Sequence, residues 1–481
     1  MDGGYPATIG SGRTRCERPG GPAGSLTGLR GKELQGETPI TPKAGAIRIF
    51  CWKIGTTVAK TERRVYPKHI HGCLKKRGVT KTMAEDRTKR ILTVNSGSSS
   101  LKFSLYKMGP AEERQLRGSV NRIGLKSGLF TAADGDGETL VEEHRSIAHH
   151  EEAFDLLFSW LQNSSPASPL DAVGHRIVHG GGRFLSPHIV TKEVMKALVD
   201  LTPVAPDHLP HEIRAIKAVA RFYPSLPQVV CFDTAFHREM PKVARMYPLP
   251  RFLWTEGVHR YGFHGLSYEY VMAELKKAAG AQAAGGRVIV AHLGSGASMA
   301  AIREGKSVDT TMGFTPAGGL MMGTRPGDLD PGVVLYLLQE KGLRPSTVAD
   351  IVNQLAGLQG VSGMTSDMKE LLKAEATEAH AAEAVSLFCY QAKKFAGAFA
   401  AVLGGLDTFI FTGGIGENAP EVRERICEGL EFLGITIDRT ANRANKDIIS
   451  GRDSRVTVRV MKTDEELMIA RHTFRLLGKK K

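Results

Sequence analysis

Two segments of the chain, Ile91-Leu-Thr-Val-Asn-Ser-Gly-Ser-Ser-Ser-Leu-Lys102 and Val288-Ile-Val-Ala-His-Leu-Gly-Ser-Gly-Ala-Ser-Met299, share one construction. Each runs four apolar or β-branched residues into a tight turn of Gly, Ser and one polar side chain, the composition a backbone needs to curl its N–H groups around a phosphate. They align without a gap, Gly97 on Gly294, at an offset of 197 residues. A chain that repeats this unit is constrained toward two like-built domains holding a polyphosphate between them.

The length of 481 residues exceeds what one core supports and predicts two or more domains. The formal charge of +14 raises nucleic acid or an anionic membrane as partners, so its location matters. Residues 1–82 hold 16 Lys and Arg against 5 Asp and Glu, which leaves 48 against 45 from Met83 onward. The body of the protein is nearly neutral, which argues against both partners. The basic N-terminal stretch has Gly-Pro clusters such as Arg18-Pro-Gly-Gly-Pro-Ala-Gly24 and no sustained period, and reads as a disordered extension over 1–88. It contributes nothing the folded domains visibly need; a second translation start at Met83 and an Arg-rich transit peptide are the readings open for it. Cys16, Cys51, Cys73, Cys231, Cys389 and Cys427 form no CxxC pair, which fits free thiols in a reducing compartment. No apolar run reaches the ~18 residues of a membrane span. A cytoplasmic location is expected.

From Arg90 onward strand and helix signals alternate, which predicts an α/β architecture. Ile91–Val94 and Phe103–Tyr106 read as a hairpin around the first turn; Ala172–Val178 and Val229–Phe232 are short buried-type strands. Glu152–Leu161 and His211–Arg221 are amphipathic helices. Val288–Leu293, Ser298–Ile302 and Thr408–Thr412 read as strands, and Ala376–Leu403, Ala-rich and free of Pro, as one long helix.

Several segments carry chemistry. Gly174-His-Arg-Ile-Val-His-Gly-Gly-Gly182 puts Arg176 inside a buried-type strand, where an unpaired guanidinium is costly. It needs an anion, either a ligand or a structural carboxylate. Asp233 ends an apolar strand, where α/β proteins present reactive groups and where helix caps also sit. The Gly- and Pro-rich yet apolar run Gly313–Pro331 reads as a rigid wall that aims Arg325. Phe411-Thr-Gly-Gly-Ile-Gly-Glu-Asn418 closes a strand with three glycines, a plain turn or a place where a flat ligand or phosphate approaches closely. Three carboxylates open a helix at Thr463-Asp-Glu-Glu-Leu467, as compensation for its dipole or as a metal site.

Taken with Arg260-Tyr-Gly-Phe-His-Gly265, His292–Ser298 and Asp309–Asp328, these segments make eight motifs in one order over roughly residues 90–473, and in that order they resemble the acetokinase family. The resemblance implies two duplicated domains of the actin, heat-shock 70 and sugar-kinase type around a nucleotide cleft, over 89–233 plus 467–481 and over 234–466. It also implies a homodimer. The implied activity is reversible, ATP-dependent phosphorylation of acetate to acetyl phosphate with Mg²⁺, Mn²⁺ being the alternative ion. Carried over by residue, Asn95 and Glu465 position the metal with Asp233 nearby. Arg176, Arg325, Asp233 and His264 are the catalytic set, with Arg325 and His264 on the phosphoryl in flight. Val178, Phe263 and Pro316 join Arg176 around the acid. Ser98, Ser100, Lys102, His292, Leu293, Gly294, Ser295, Gly296, Gly414, Ile415, Gly416 and Asn418 contact the nucleotide.

The implied chemistry is coherent without a covalent intermediate. An ionised carboxylate is already the nucleophile, and a loose transition state spreads charge that Arg forks and N–H groups absorb. Asp233 then serves the metal or the arginines rather than proton abstraction. Four departures from the family pattern gather near the acceptor and phosphoryl site: Asp207 for Leu within Ala205–Pro210, Leu266 and Tyr268 for Thr and His, Ser295 for Asn, and Ala317-Gly318 for Leu-Glu. They keep propionate or another short acid open as acceptor. A sugar or glycerol kinase would need a general base and leaves the two arginines unexplained; a nucleotide-binding sensor on the same fold is the reading from another class.

Overall fold

The computed structural model describes residues 88–97, 99–163 and 169–478. Ser98, Cys16, Cys51, Cys73 and the basic extension lie outside them. The described residues build two sheets. The first contains β1 (Lys89–Ser96), β2 (Ser100–Met108), β3 (Glu112–Asn121), β4 (Gly128–Asp134), β5 (Thr139–Arg145), β6 (Ala172–Ile177), β7 (His188–Ile189) and β8 (Gln228–Phe232), in the order β5-β4-β3-β2-β1-β6-β8-β7. The second contains β9 (Arg287–Leu293), β10 (Ala297–Arg303), β11 (Lys306–Thr310), β12 (Thr408–Thr412) and β13 (Thr457–Val460), in the order β11-β10-β9-β12-β13.

The sequence repeat becomes a topological one. β1 pairs antiparallel with β2 and parallel with β6, which pairs parallel with β8. β9 likewise pairs antiparallel with β10 and parallel with β12, which pairs parallel with β13. Five strands in each sheet therefore follow one plan, with Gly97 and Gly294 in the turns of equivalent hairpins. Each central strand is apolar along its length because both faces of its sheet are covered. β1 is buried from Ile91 to Ser96 and β12 throughout.

Three layers result in each half. Phe154, Leu157 and Phe158 of helix His150–Asn163 and Val219 of helix Leu209–Phe222 cover one face of the first sheet. Helix Glu465–Gly478, from the C-terminus, crosses to the other face of this sheet, burying Met468, Ile469 and Ala470. Close approach there demands glycine in the strand: a Cβ at Gly174 would fall 2.5 Å from both Ile469 Cγ2 and Thr473 Oγ1. On the second sheet, Tyr268, Val271 and Leu275 of helix Gly265–Gly285 pack on β9, β10 and β12, while helix Ala379–Leu403 lies on the opposite face.

The two sheets with flanking helices make the actin and sugar-kinase type of α/β fold. The long helix begins at Ala379 rather than Ala376, because the N–H groups of Thr377 and Glu378 both bond the Ala374 carbonyl in the turn that ends the preceding helix. β3 buries only two of its residues and β5 none, so neither carries a clear apolar pattern in the sequence.

Gly174→Ala is expected to destabilise the protein by about 1–3 kcal/mol through overpacking between β6 and the C-terminal helix. A denaturant melt with an unchanged midpoint would refute that packing role.

Candidate active site

The two glycine turns face one polar cavity of about 540 Å³, lined by Asn95, Gly97, Ser100, Lys102, Arg176, His264, His292, Gly294, Ser295, Gly296, Gly413, Gly414, Glu417, Thr463, Glu465 and Glu466. An adjoining cavity of about 840 Å³ shares Gly294, Ser295 and Gly414 and adds Ile415, Asn418 and the segment Ser366–Lys369. Eleven residues named from the sequence thus meet in the first space and two more in the second. Leu293 and Gly416 lie behind these walls, in the packed backbone where β9 ends against the turn after β12. Gly413 allows that approach: at φ 78°, a Cβ there would sit 2.7 Å from the Leu293 carbonyl oxygen.

Arg176 forms the floor. It leaves β6 between β1 and β8, and its guanidinium donates from Nη2 to Asp233 Oδ2 at 2.6 Å and from Nε to the same carboxylate at 3.1 and 3.2 Å. Nη1 donates to Asn95 Oδ1 at 3.2 Å, and Glu465 Oε2 lies 3.7 Å from Nε. Asp233 is fully buried behind it and caps no helix; the carboxylate that Arg176 requires is this one. Burial by itself would weaken the Arg176 cation, but Asp233 and then Glu465 more than offset this and hold its pKa above the ordinary value. Burial pushes Glu465 up to about 7, against the pull of Arg176.

Behind the floor lies a second buried carboxylate that the sequence did not single out. Glu212 accepts from the Val178 N–H at 3.0 Å, and burial pushes it up to about 8. Val178 and Phe263 are buried in one apolar cluster with Met312 and Leu320. Pro316 offers its carbonyl to Arg325 Nη1 at 3.4 Å, while Arg325 Nη2 lies 3.3 Å from His208 Nε2. The wall Gly313–Pro331 does hold Arg325, helped by a residue on the opposite half of the molecule. Burial, followed by the neighbouring Arg325 charge, lowers His208 to about 3, so it meets Arg325 as a neutral acceptor. Asp207 is exposed, and its charge supports the half-buried Arg325 cation.

His264 stands at φ 56° at the start of helix Gly265–Gly285, and its ring stacks on His292 with centroids 4.3 Å apart. Burial, with His292 next, keeps His264 well below its ordinary pKa, and burial lowers His292 to about 4. Both are neutral at pH 7. Glu417 joins the two ends of the cleft by accepting from Gly413 N at 3.0 Å and Thr463 N at 3.1 Å. Its motif was visible in the sequence; this bridging role was not.

A fold of this type, with glycine turns around a polar cleft floored by Arg176 and a second arginine, Arg325, whose charge acts on His264 of the same cleft, is that of a nucleotide-dependent phosphotransferase. The acetokinase family profile matches residues 90–471. The chain is 47% identical over 392 residues to the acetate kinase of Rhodopseudomonas palustris, covering 80% of this chain and 98% of that one. Among solved structures it is similar to the Porphyromonas gingivalis acetate kinase, at 38% identity and TM-score 0.73, over 81% of this chain and 100% of that one. It is also similar to a propionate kinase from Francisella tularensis, at 34% identity and TM-score 0.75, over 80% and 98%. The chain belongs to the acetokinase family, whose members use ATP or ADP, generally with a divalent metal, and it is a kinase acting on a carboxylate. Among the described residues no helix is long and apolar enough to cross a membrane.

Because Asp233 is the main counter-charge of a buried guanidinium, Asp233→Ala should cost about 3–5 kcal/mol of stability. Equal melting midpoints for variant and wild type would show that the pair is dispensable to the fold.

Proposed function

We propose that the protein transfers the γ-phosphoryl group of ATP to acetate, reversibly, with Mg²⁺ as the ion. The observation that carries this reading is Arg176: a guanidinium locked by Asp233 at the floor of a glycine-lined cleft, on the strand that leads to Val178, which shares one buried apolar cluster with Phe263. A fork of that kind binds a carboxylate, and the apolar pair suits a short acyl chain. Ser100, Lys102, the turn His292–Gly296 and Gly414–Asn418 hold the nucleotide, and Ser98 is assigned there with them.

Arg176 and Arg325 bring two positive charges to the transferring group, and His264, neutral, donates a hydrogen bond to it. Since they act on charge that spreads in the transition state, their loss falls mainly on turnover. Asp233 holds Arg176 in place. The oxygens of Asn95 and Glu465, which converge on one guanidinium, form a hard donor set in a wet cleft that suits a divalent cation retaining several waters. When bound, such a cation neutralises phosphate charge.

Propionate is the second reading, favoured by the propionate-kinase likeness. The functional bodies follow the division 89–233 with 467–481 and 234–466, with 1–88 an extension and the cytoplasm the place of action. A homodimer is supported by helix Pro331–Gln339, which is apolar on every side yet buries none of its residues, with Leu335 and Tyr336 about half exposed.

With ATP, Mg²⁺ and hydroxylamine, hydroxamate should form from acetate, and a panel with propionate and butyrate ranks the acids. Nucleotide binding without hydroxamate from any of them would sink the kinase reading in favour of a sensor. Arg176→Ala and Arg325→Ala should each lower kcat by at least about 10², read on protein that circular dichroism shows folded because Arg176→Ala also strands the buried Asp233 and costs stability; near-normal turnover in both refutes their assignment. In light scattering, the double variant Leu335→Glu, Tyr336→Lys should run at half the wild-type mass. An unchanged mass removes this helix from the interface.

A further inference from the structure

The two stacked imidazoles are held from behind by hydroxyl groups. His264 Nδ1 lies 2.8 Å from Ser298 Oγ, and Ser298 Oγ lies 2.5 Å from the Tyr268 hydroxyl. In parallel, His292 Nδ1 lies 2.8 Å from Ser267 Oγ, itself 2.8 Å from Thr463 Oγ1. Tyr268 and Ser298 are both completely buried. Tyr268 comes from the first turn of helix Gly265–Gly285 and Ser298 from β10, so this chain of hydroxyls ties helix to sheet directly beneath His264.

The order of donors follows from counting hydrogens. Burial raises the Tyr268 pKa, so its phenol keeps its proton. The phenol's hydrogen-bond partner is Ser298 Oγ. The nearby His237 ring has both nitrogens engaged, Nδ1 with Ser307 Oγ and Nε2 with the Phe263 carbonyl. If Ser298 instead donated to Tyr268, the phenolic hydrogen would be left buried without an acceptor, a cost of ~1–3 kcal/mol. Tyr268 therefore donates to Ser298; the buried Ser298 hydroxyl, whose one other partner is His264 Nδ1, places its own hydrogen there, and the imidazole hydrogen is confined to Nε2. That edge faces the second glycine turn: a Cβ on Gly296 would sit 3.2 Å from Nε2.

We infer that Tyr268, acting through Ser298, is a positioning residue that fixes His264 as the Nε2–H tautomer, so that a neutral ring presents a hydrogen-bond donor to the phosphoryl site. This deepens, and rests on, the assignment of His264 to the transferring phosphoryl group. The device matters because the ring is uncharged. A neutral imidazole in the opposite tautomer would aim a lone pair at phosphate oxygens and repel them. It also gives a use to Tyr268, where the family pattern has His.

The test uses the full-length enzyme with ¹⁵N-labelled histidine. Nitrogen–proton correlation spectra, assigned through His264→Gln, should show His264 protonated at Nε2 and bare at Nδ1 in the wild type. Tyr268→Phe keeps the ring that packs against Phe236 at 5.8 Å and removes only the hydroxyl. It should give a mixture of tautomers and lower kcat about 3- to 10-fold, the size of one lost hydrogen bond, with both KM values within about twofold of wild type. Ser298→Ala should behave alike, and Ser298→Thr should restore the tautomer. A wild-type ring protonated at Nδ1, or a Tyr268→Phe enzyme with unchanged tautomer and turnover, overturns the inference. His264→Ala is read separately: full turnover there removes the role of His264 in the reaction, while the spectra still decide whether Tyr268 sets its tautomer.

Discussion

A guanidinium buried at the end of a strand is the constraint around which the rest of this molecule is arranged. Arg176 cannot sit between β1 and β8 without compensation, and the compensation comes from three places: Asn95 at the end of β1, Asp233 just past β8 and Glu465 at the start of the C-terminal helix. One ionic contact set therefore pins the first phosphate turn, the floor of the cleft and the point where the chain returns to its first sheet. Breaking one partner leaves a charge in a poor dielectric, which is why such a group is costly to disturb even though forming it adds little net stability.

The duplication gives this charge a cleft to work in. Because the hairpins β1–β2 and β9–β10 have equivalent places in equivalent sheets, their turns line one space from two sides. Beside the first turn stands Lys102 on β2; beside the second stand the neutral His292 and His264, backed by serine hydroxyls. The halves have diverged in electrostatics while keeping one backbone plan. Donors from the second half cost no ionisation to maintain, since burial has already removed the charge of His264 and His292.

Much of the site was legible in the sequence because its residues sit in glycine turns and at strand ends, where composition reports backbone geometry directly. Arg176 and Asp233 stand out in this way, within and at the end of buried-type strands, and Arg325 in its Gly- and Pro-rich run, whereas Asn95, His264 and Glu465 took their roles from the family resemblance. Others were silent. Glu212 lies on an ordinary amphipathic helix, where one carboxylate among polar residues looks solvated; only its packing against Val178 shows that it is buried. His208 and Arg325 come from opposite halves, and no local pattern reports a contact across that distance. Asp207, one of the four departures near the acceptor site, is exposed, and it reaches the site through its charge on Arg325.

By itself, the sequence determined the repeat, and through it the two hairpin turns, the α/β class and the presence of a charge that had to be paired. Such features follow from period, turn chemistry and the cost of burying ions, all of which act over a few residues. Tertiary structure alone decided the partners. β6 pairs with β8 in a register that sets Arg176 opposite Cys231 and brings Asp233 within reach two residues later. The crossing of the last helix over the first sheet delivers Glu465. Tyr268 meets Ser298 only where helix Gly265–Gly285 lies down on β10. These choices depend on strand register and helix docking, which are settled by the packing of the whole core and leave no local trace in the chain.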